Sequence, residues 1–352
     1  MRLSNRIVMA PMTRSRANNP GHLPTCKHAE YYKQRSQAGL IISEGLVVSP
    51  MGIGYVHVPG IYSKEQVQAW KLVTHAVHDA HGKIFAQLWH VGRLSHPDFL
   101  NGERPLAPSA VDPAIQVRTP DGLKKPSVTP KAMTQQEIRQ TISHFKSAAR
   151  NAINAGFDGI EIHSSNGYLF HQFFSNSANR RTDNYGGSIE NKTRFFFQTL
   201  QSIMDVVPEN RIGIRLNPNL HGSGGIDIDA DSKPTFEHIV RKLNDFNLAY
   251  LHISRPFTNV ISPYAIANLS RYFRSIYSGH LMMNGNYNRD SAEALLLANE
   301  ADTVAFGRWF ISNPDLPDRF KHGHPLARPD STTFYTSGLE GYTTYPAYAE
   351  KR

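Results

Sequence analysis

Three side chains within one short segment, HSSNGYLFHQFF opening at 163, hold the densest chemical signal in this sequence: His163, Asn166 and Tyr168. His163 and Asn166 are short hydrogen-bond donors three residues apart, and Tyr168 is a phenol that keeps its proton at neutral pH. Two donors beside an acid suit a substrate carbonyl whose oxygen gains electron density during reaction. Each residue alone has a structural explanation; only their joint position points to chemistry. A second set stands where short apolar runs end: Thr13, Glu44, Gly45, Gln87, Trp89, Arg215, Ser254, Arg255, Asn284, Gly285, Gly307 and Arg308. Thr, Gln and Arg side chains arriving from different strands could hold a flat heterocycle with a polar edge, such as an isoalloxazine. Gly285 and Gly307 would free backbone N–H groups for a phosphate, to which Arg308 adds a fork-shaped cation.

Such residues need a scaffold that presents strand ends to one place. Eight apolar runs are present: RIVMAP (6–11), GLIIS (39–43), KIFAQL (83–88), DGIEIH (158–163), RIGIRL (211–216), AYLHIS (249–254), HLMMN (280–284) and DTVAF (302–306). Most are separated by segments of helical period, the pattern of alternating β and α units, and eight is the number that closes a (β/α)8 TIM barrel. Ser63 with Gln66 and Thr134 with Glu137 have capping-box spacing, and Gly82 and Gly156 fall where helices must end. Val67, Trp70, Val73 and Val77, and likewise Ile138, Ile142, Phe145, Ala149 and Ile153, form apolar helical stripes. Residues 89–133 hold seven prolines and a Pro120-Asp121-Gly122 turn signal, which predicts an excursion with a β-hairpin capping the barrel mouth. Residues 221–234 read as a Gly/Asp-rich loop, and the tyrosine-bearing tail 325–352 as a covering segment of a single domain, 1–352.

Composition removes several alternatives. No apolar run approaches the roughly 18 residues that span a bilayer, and a single cysteine, Cys26, cannot build a disulfide framework or a four-cysteine metal site, so the expectation is a cytoplasmic protein. The formal charge of +9 is carried by scattered residues without a recognition motif, which argues against nucleic acid and suits anionic cofactors. Asp227, Asp229 and Asp231 open like an EF-hand loop, but Ser232 and His238 stand where Gly and Glu are needed. Gly222-Ser223-Gly224-Gly225 lacks dinucleotide-binding spacing. His322 and His324 flank Gly323 with no carboxylate or cysteine cluster apparent beside them, so they read as surface residues and no metal is expected.

At this point the chain resembles the Old Yellow Enzyme family over essentially its whole length. The matching stretches are NRIVMAPMTRSRA (5–17), LIISEG (40–45), QLWHVGR (87–93), HSSNGYLFHQF with RRTDNYGGSIEN (163–191), IRLNP (214–218), YLHIS (250–254), VAFGR with NPDL (304–316) and GYTTYP (341–346). The resemblance implies a tightly bound, non-covalent FMN whose ring is lined by Pro11, Met12, Thr13, Gly45, Gln87 and Arg215 and whose phosphate is held by Gly285, Asn286, Gly307 and Arg308. It implies that His163 and Asn166 bind a carbonyl oxygen, that Tyr168 protonates the α-carbon, and that Tyr55, Trp89 and Tyr342 shape the substrate pocket. NAD(P)H would be the co-substrate and small activated alkenes the substrates of a monomer or homodimer. The Ala10-Pro11-Met12-Thr13 motif and the lone cysteine disfavour the cysteine-pocket and iron–sulfur subtypes, and Asn166 stands where many relatives have His. Arg255 stands where an acidic residue is common, and Thr344 replaces the Asp of the usual GYTDYP. A segment that usually precedes LSNRIV, with a hairpin plugging the barrel bottom, is expected to be missing, leaving apolar side chains there poorly covered. The alternatives are a flavin-binding barrel without efficient turnover and a flavin-free phosphate-binding barrel lyase or isomerase.

Overall fold

The computed structural model describes residues 1–256 and 260–348, so the last four residues of the tail lie outside the described residues. Every apolar run is a strand: β1 (Ile7–Met9), β2 (Leu40–Val47), β3 (Ile84–Trp89), β4 (Gly159–His163), β5 (Ile212–Leu216), β6 (Tyr250–Ser254), β7 (Leu281–Asn284) and β8 (Thr303–Phe306). They pair in parallel, each with the next, and β8 returns to β1 with Ile7 opposite Val304, closing the barrel. Around it run α1 (Cys26–Lys33), α2 (Lys64–Asp79), α3 (Gln135–Asn154), α4 (Leu169–Phe174), α5 (Ile189–Met204), α6 (Ser232–Leu243), α7 (Leu269–Arg274), α8 (Arg289–Leu297), α9 (Arg308–Ser312) and α10 (Leu316–His322). β2 is buried throughout its length because the barrel interior covers one face and helices the other, which is why these strands read as near-continuous apolar runs.

Local signals act as expected. Ser63 and Thr134 cap α2 and α3 in full capping boxes. Val67, Trp70, Val73 and Val77 are buried, as are Ile138, Phe145 and Ala149, while Ile142 and Ile153 pack half-buried on the same core. α3 stops at Gly156 in a left-handed conformation (φ 90°); the turn after α2 puts that conformation on His81 (φ 59°), one residue before Gly82.

Along each strand, side chains that face the barrel interior recur every second residue, and the pairing registers stack them into layers. The lowest layer is apolar. Phe85 and Tyr250 stack with ring centroids 5.8 Å apart. Each ring covers a glycine on the neighbouring strand, Gly159 and Gly213, where any Cβ would run into it. With Val8, Leu40, Ile42 and Met282 they form a buried cluster. The expectation of poorly covered apolar side chains at the bottom is therefore not met, because aromatic rings over glycines fill the barrel from within. Two residues up, Gln87, Glu161, Arg215, His252 and Asn284 make a buried polar layer. Two further up, Trp89, His163, Asn217 and Ser254 open onto the mouth.

The excursion after β3 contains the hairpin, with Gln116–Arg118 antiparallel to Lys124–Pro126 and Gly122 (φ 82°) in its turn. Arg93, fully buried, ties this excursion to the Gly-rich loop by donating to Val111 O and to Gly224 and Gly225 O. The tail is fastened by two buried arginines that follow β1. Arg14 donates to Phe334 O and Gly341 O, and Arg16 to Thr333, Phe334 and Glu340 O.

Candidate active site

β4 ends at His163, and the chain turns at once through Asn166 and Gly167, both left-handed (φ 58° and 81°), into α4, for which Tyr168 is the N-cap residue. Asn is among the few side-chain-bearing residues that tolerate this conformation. The turn brings the three predicted residues to one place: the His163 and Tyr168 rings lie 4.9 Å apart edge to face.

Each of the three is held in a defined hydrogen-bonding state. Burial, and then the charge of Arg215, drives the His163 pKa well below its usual value, so the ring is neutral. Its Nδ1 faces the Ser165 N–H (3.4 Å) and Oγ (3.1 Å), and accepting from that amide leaves the proton on Nε2, the nitrogen free to donate. Asn166 Oδ1 accepts from Asn217 Nδ2 at 3.0 Å, which leaves the Asn166 amide N–H2 as the outward-facing group. Tyr168 Oη donates to Tyr55 Oη at 3.0 Å, and burial, followed by the neighbouring Tyr55, pushes its pKa well above 10. Asn217 and Ser165 were not singled out by sequence; both are short polar residues at strand ends, recognisable only once the strands are side by side.

Tyr55 and Trp89 stand beside Tyr168, stacked with centroids 5.3 Å apart and Trp89 5.0 Å from the Tyr168 ring. Tyr342 does not. It is fully buried behind the barrel wall, stacked on Tyr31 of α1 at 4.1 Å and flanked by the guanidinium groups of Arg14 and Arg16. The tyrosine of the tail that reaches the mouth is Tyr335, largely exposed and near enough to raise the pKa of both Tyr55 and Tyr168. The arginine bonds at 333–334 and 340–341 decide which tyrosine points where, and no local pattern in the tail could have shown it. Glu44 also leaves the mouth. A bulge shifts the β2–β3 register between Ile42 and Gly45, so Glu44 turns outward to Tyr32 of α1 while Gly45 faces Gln87. Any side chain at Gly45 would strike the Trp89 indole.

The remaining predicted residues can be tested against a flavin nucleotide. Pro11, Met12 and Thr13 follow β1, half-buried, with Met12 beside Gly307 at the end of β8. Arg215 is buried, bonds Asn284 Oδ1 at 3.0 Å, and keeps an unpartnered Nε; the Trp89 Nε1 is likewise buried without a partner. Gly285 and Asn286, directly after β7, are successive positive-φ residues (120° and 55°), so the chain leaves the strand in a tight turn. Gly307 is the N-cap residue of α9, and the exposed Arg308 beside it makes no ion pair among the described residues. The orphaned donors of Arg215 and Trp89, the turn at Gly285 and Asn286, and a cation, Arg308, that is unpaired among the described residues fit FMN.

Elsewhere, Asp229 and Asp231 accept from Asn176, and Asp231 also from the buried Lys192, so they fasten a loop. Contrary to the expectation from sequence, His322 and His324 do have a carboxylate beside them: Asp318, one helical turn before His322, lies 3.1 Å from its Nδ1.

A family model described as the NADH:flavin oxidoreductase / NADH oxidase family matches residues 1–327. Among curated proteins, 12-oxophytodienoate reductase 7 of rice (Oryza sativa subsp. japonica) is 40% identical, covering 98% of this chain and 91% of its own length. Rice 12-oxophytodienoate reductase 1 is 41% identical, with 99% and 91% covered. Among solved structures, the old yellow enzyme homologue from Zymomonas mobilis superposes with a TM-score of 0.93 at 40% identity over 99% of this chain and 98% of its own. Morphinone reductase bound to tetrahydroNAD gives 0.93 at 41% identity, with 99% and 95% covered. Barrel, site and sequence agree: the chain belongs to the FMN-dependent NADH:flavin oxidoreductase / NADH oxidase family of old yellow enzyme homologues, and is a flavin-dependent oxidoreductase.

Proposed function

We propose that the protein is an ene-reductase for α,β-unsaturated carbonyls and nitroalkenes, using NAD(P)H in a ping-pong cycle. The observation that carries this reading is the convergence of a neutral His163, an Asn166 amide oriented by Asn217, and a protonated Tyr168 on one face of the barrel mouth. FMN, when bound, would supply the redox chemistry, hydride transfer from NAD(P)H to the alkene β-carbon in two half-reactions. Pro11, Met12, Thr13, Gly45, Gln87 and Arg215 would line its ring, and Gly285, Asn286, Gly307 and Arg308 its phosphate.

His163 Nε2–H and the Asn166 amide bind the substrate oxygen and stabilise the charge that develops there, as fixed donors do in a site closed to water. Tyr168 gives its proton to the α-carbon, and the Tyr55 hydroxyl, 3.0 Å away, turns to donate to the phenolate left behind. Trp89, Tyr55 and Tyr335 form the wall against which the alkene lies flat. Among the described residues no helix is long and apolar enough to cross a membrane. A cytoplasmic enzyme, monomeric or homodimeric, with small-molecule substrates completes the reading. An anaerobic visible spectrum tests it: a yellow protein bleached by NADPH and recoloured by an enone is expected. Colour without enone-driven recovery would instead mean a flavin binder without efficient turnover, and no flavin uptake a barrel with other chemistry.

A further inference from the structure

Beneath the mouth, four side chains from four strands form one directional hydrogen-bond chain. Gln87 Nε2 donates to Glu161 Oε1 at 2.8 Å, and His252 Nδ1 meets Glu161 Oε2 at 2.8 Å. On the far side of the imidazole, Arg215 Nη1 faces His252 Nε2 at 3.4 Å. All four are buried, Glu161 and His252 completely. The polarity is fixed by chemistry. A guanidinium can only donate, so Nε2 must accept, the imidazole proton must sit on Nδ1, and the carboxylate takes it. Burial, then Arg215, lowers the His252 pKa, so the ring stays neutral between a cation and an anion. Burial alone would raise the Glu161 carboxyl, yet His252, Arg215 and Gln87 together hold it below its ordinary value.

The two ends of this chain are the two buried polar side chains assigned to the flavin ring. One N–H of Gln87 is committed to Glu161, which sets the orientation of the amide and so of its carbonyl oxygen, and that oxygen accepts no hydrogen bond among the described residues. Because Arg215 is a buried cation, its field in the pocket depends on a counter-charge, and Glu161 is the carboxylate that acts on it. We propose that Glu161 and His252 are positioning residues that fix the amide orientation of Gln87 and the tautomer facing Arg215, and that the Glu161 charge sets the reduction potential of the bound flavin. This rests on the reading that FMN sits against Gln87 and Arg215. Reduction adds negative charge to a flavin, so weakening the counter-charge on Arg215 favours the reduced form.

The test compares FMN-loaded wild-type protein with Glu161→Gln and Glu161→Asp. In Glu161→Gln the affinity for reduced relative to oxidised FMN should rise tenfold or more, which is about 30 mV for a two-electron couple. Glu161→Asp keeps the charge, so its ratio should stay within about threefold of wild type while FMN dissociates faster, since the shorter side chain gives up its hold on Gln87. A ratio in Glu161→Gln within twofold of wild type, or an equal shift in Glu161→Asp, overturns the proposal. Should Glu161→Gln not fold, nitrogen NMR of histidine-labelled wild-type holoenzyme, with His252 assigned by His252→Gln, decides: protonated Nδ1 and bare Nε2 are expected near neutral pH, and the opposite tautomer or an imidazolium overturns it. Enone turnover of wild type is measured separately, so a protein that binds FMN without reducing enones fails the functional reading while leaving this inference testable.

Discussion

Single side chains divide the proposed reaction between them, and substitution should separate the parts. If Tyr168 only delivers a proton, Tyr168→Phe leaves flavin reduction by NADPH nearly intact and slows reoxidation by enones by about 10²- to 10⁴-fold, the usual contribution of acid catalysis. Nitroalkenes should lose less, because the nitronate formed persists without immediate protonation. Replacing both His163 and Asn166 with Ala should slow the oxidative half-reaction for every acceptor and weaken phenol binding. Stopped-flow measurement of the two half-reactions distinguishes these outcomes; equal losses in both steps for Tyr168→Phe would falsify its role. At the phosphate end, Arg308→Ala should weaken FMN binding by roughly 1.5 to 3 kcal/mol, the range for hydrogen bonds to charged groups. Titration of the apoprotein checks this, and unchanged affinity removes Arg308 from the site.

At the scale of elements, strand pairing and loop fastening decide which side chains reach the mouth. The β2 bulge exchanges Glu44 for Gly45, and the left-handed turn after β4 delivers Asn166. The tail depends on the segment after β1. Arg16 holds four tail carbonyls, those of Thr333, Phe334, Gly338 and Glu340, and Tyr335 stands between the residues whose carbonyls it grips. Arg16→Ala should therefore raise KM for bulky enones while kcat falls little, since the mouth loses one wall and the donors remain. Tyr342→Phe, by contrast, should leave KM unchanged, because that phenol lies behind the barrel wall with an unpartnered hydroxyl. Steady-state kinetics on a small and a large enone separates the two tyrosines, and a KM effect from Tyr342→Phe would return it to the pocket.

Across the whole molecule, a layered interior carries both stability and function: aromatic rings over glycines below, a buried charge network above, and the open site on top. Phe85→Ala should cost about 3 to 5 kcal/mol, as for other large aromatic core deletions, since Gly159 beside it has no side chain to fill the void. Global stability should also depend on pH through Glu44, whose pKa burial raises to about 7 against the opposing pull of Arg14 and Tyr32. Between its ordinary value and that raised one the folded state binds the extra proton, so stability falls as pH rises through this window. The loss is on the order of 3 kcal/mol and should be absent from Glu44→Gln. Denaturant midpoints at pH 5 and pH 8 measure it. A wild type and variant with parallel pH profiles would show that Glu44 is charged throughout.

How much of this the residues dictated by themselves follows from the range of the interactions involved. The eight strands, the capped helices, the hairpin and the His163–Asn166–Tyr168 cluster rest on local periodicity, turn chemistry and short spacing, so they were legible in the sequence. The same holds for Arg308 after Gly307, where a strand end and a helix start are adjacent in the chain. Other features depend on register and on contacts between residues hundreds of positions apart. Arg16 reaches Phe334 across a sequence separation of 318, and that bond, not any pattern in the tail, puts Tyr335 at the mouth and Tyr342 behind the wall. Asn217 orients Asn166 from the next strand, and Glu161 joins Gln87 to His252 from three different strands. Closure of the barrel alone brings these partners within hydrogen-bonding distance, because side chains of period two on separate strands share a layer only when the registers are set.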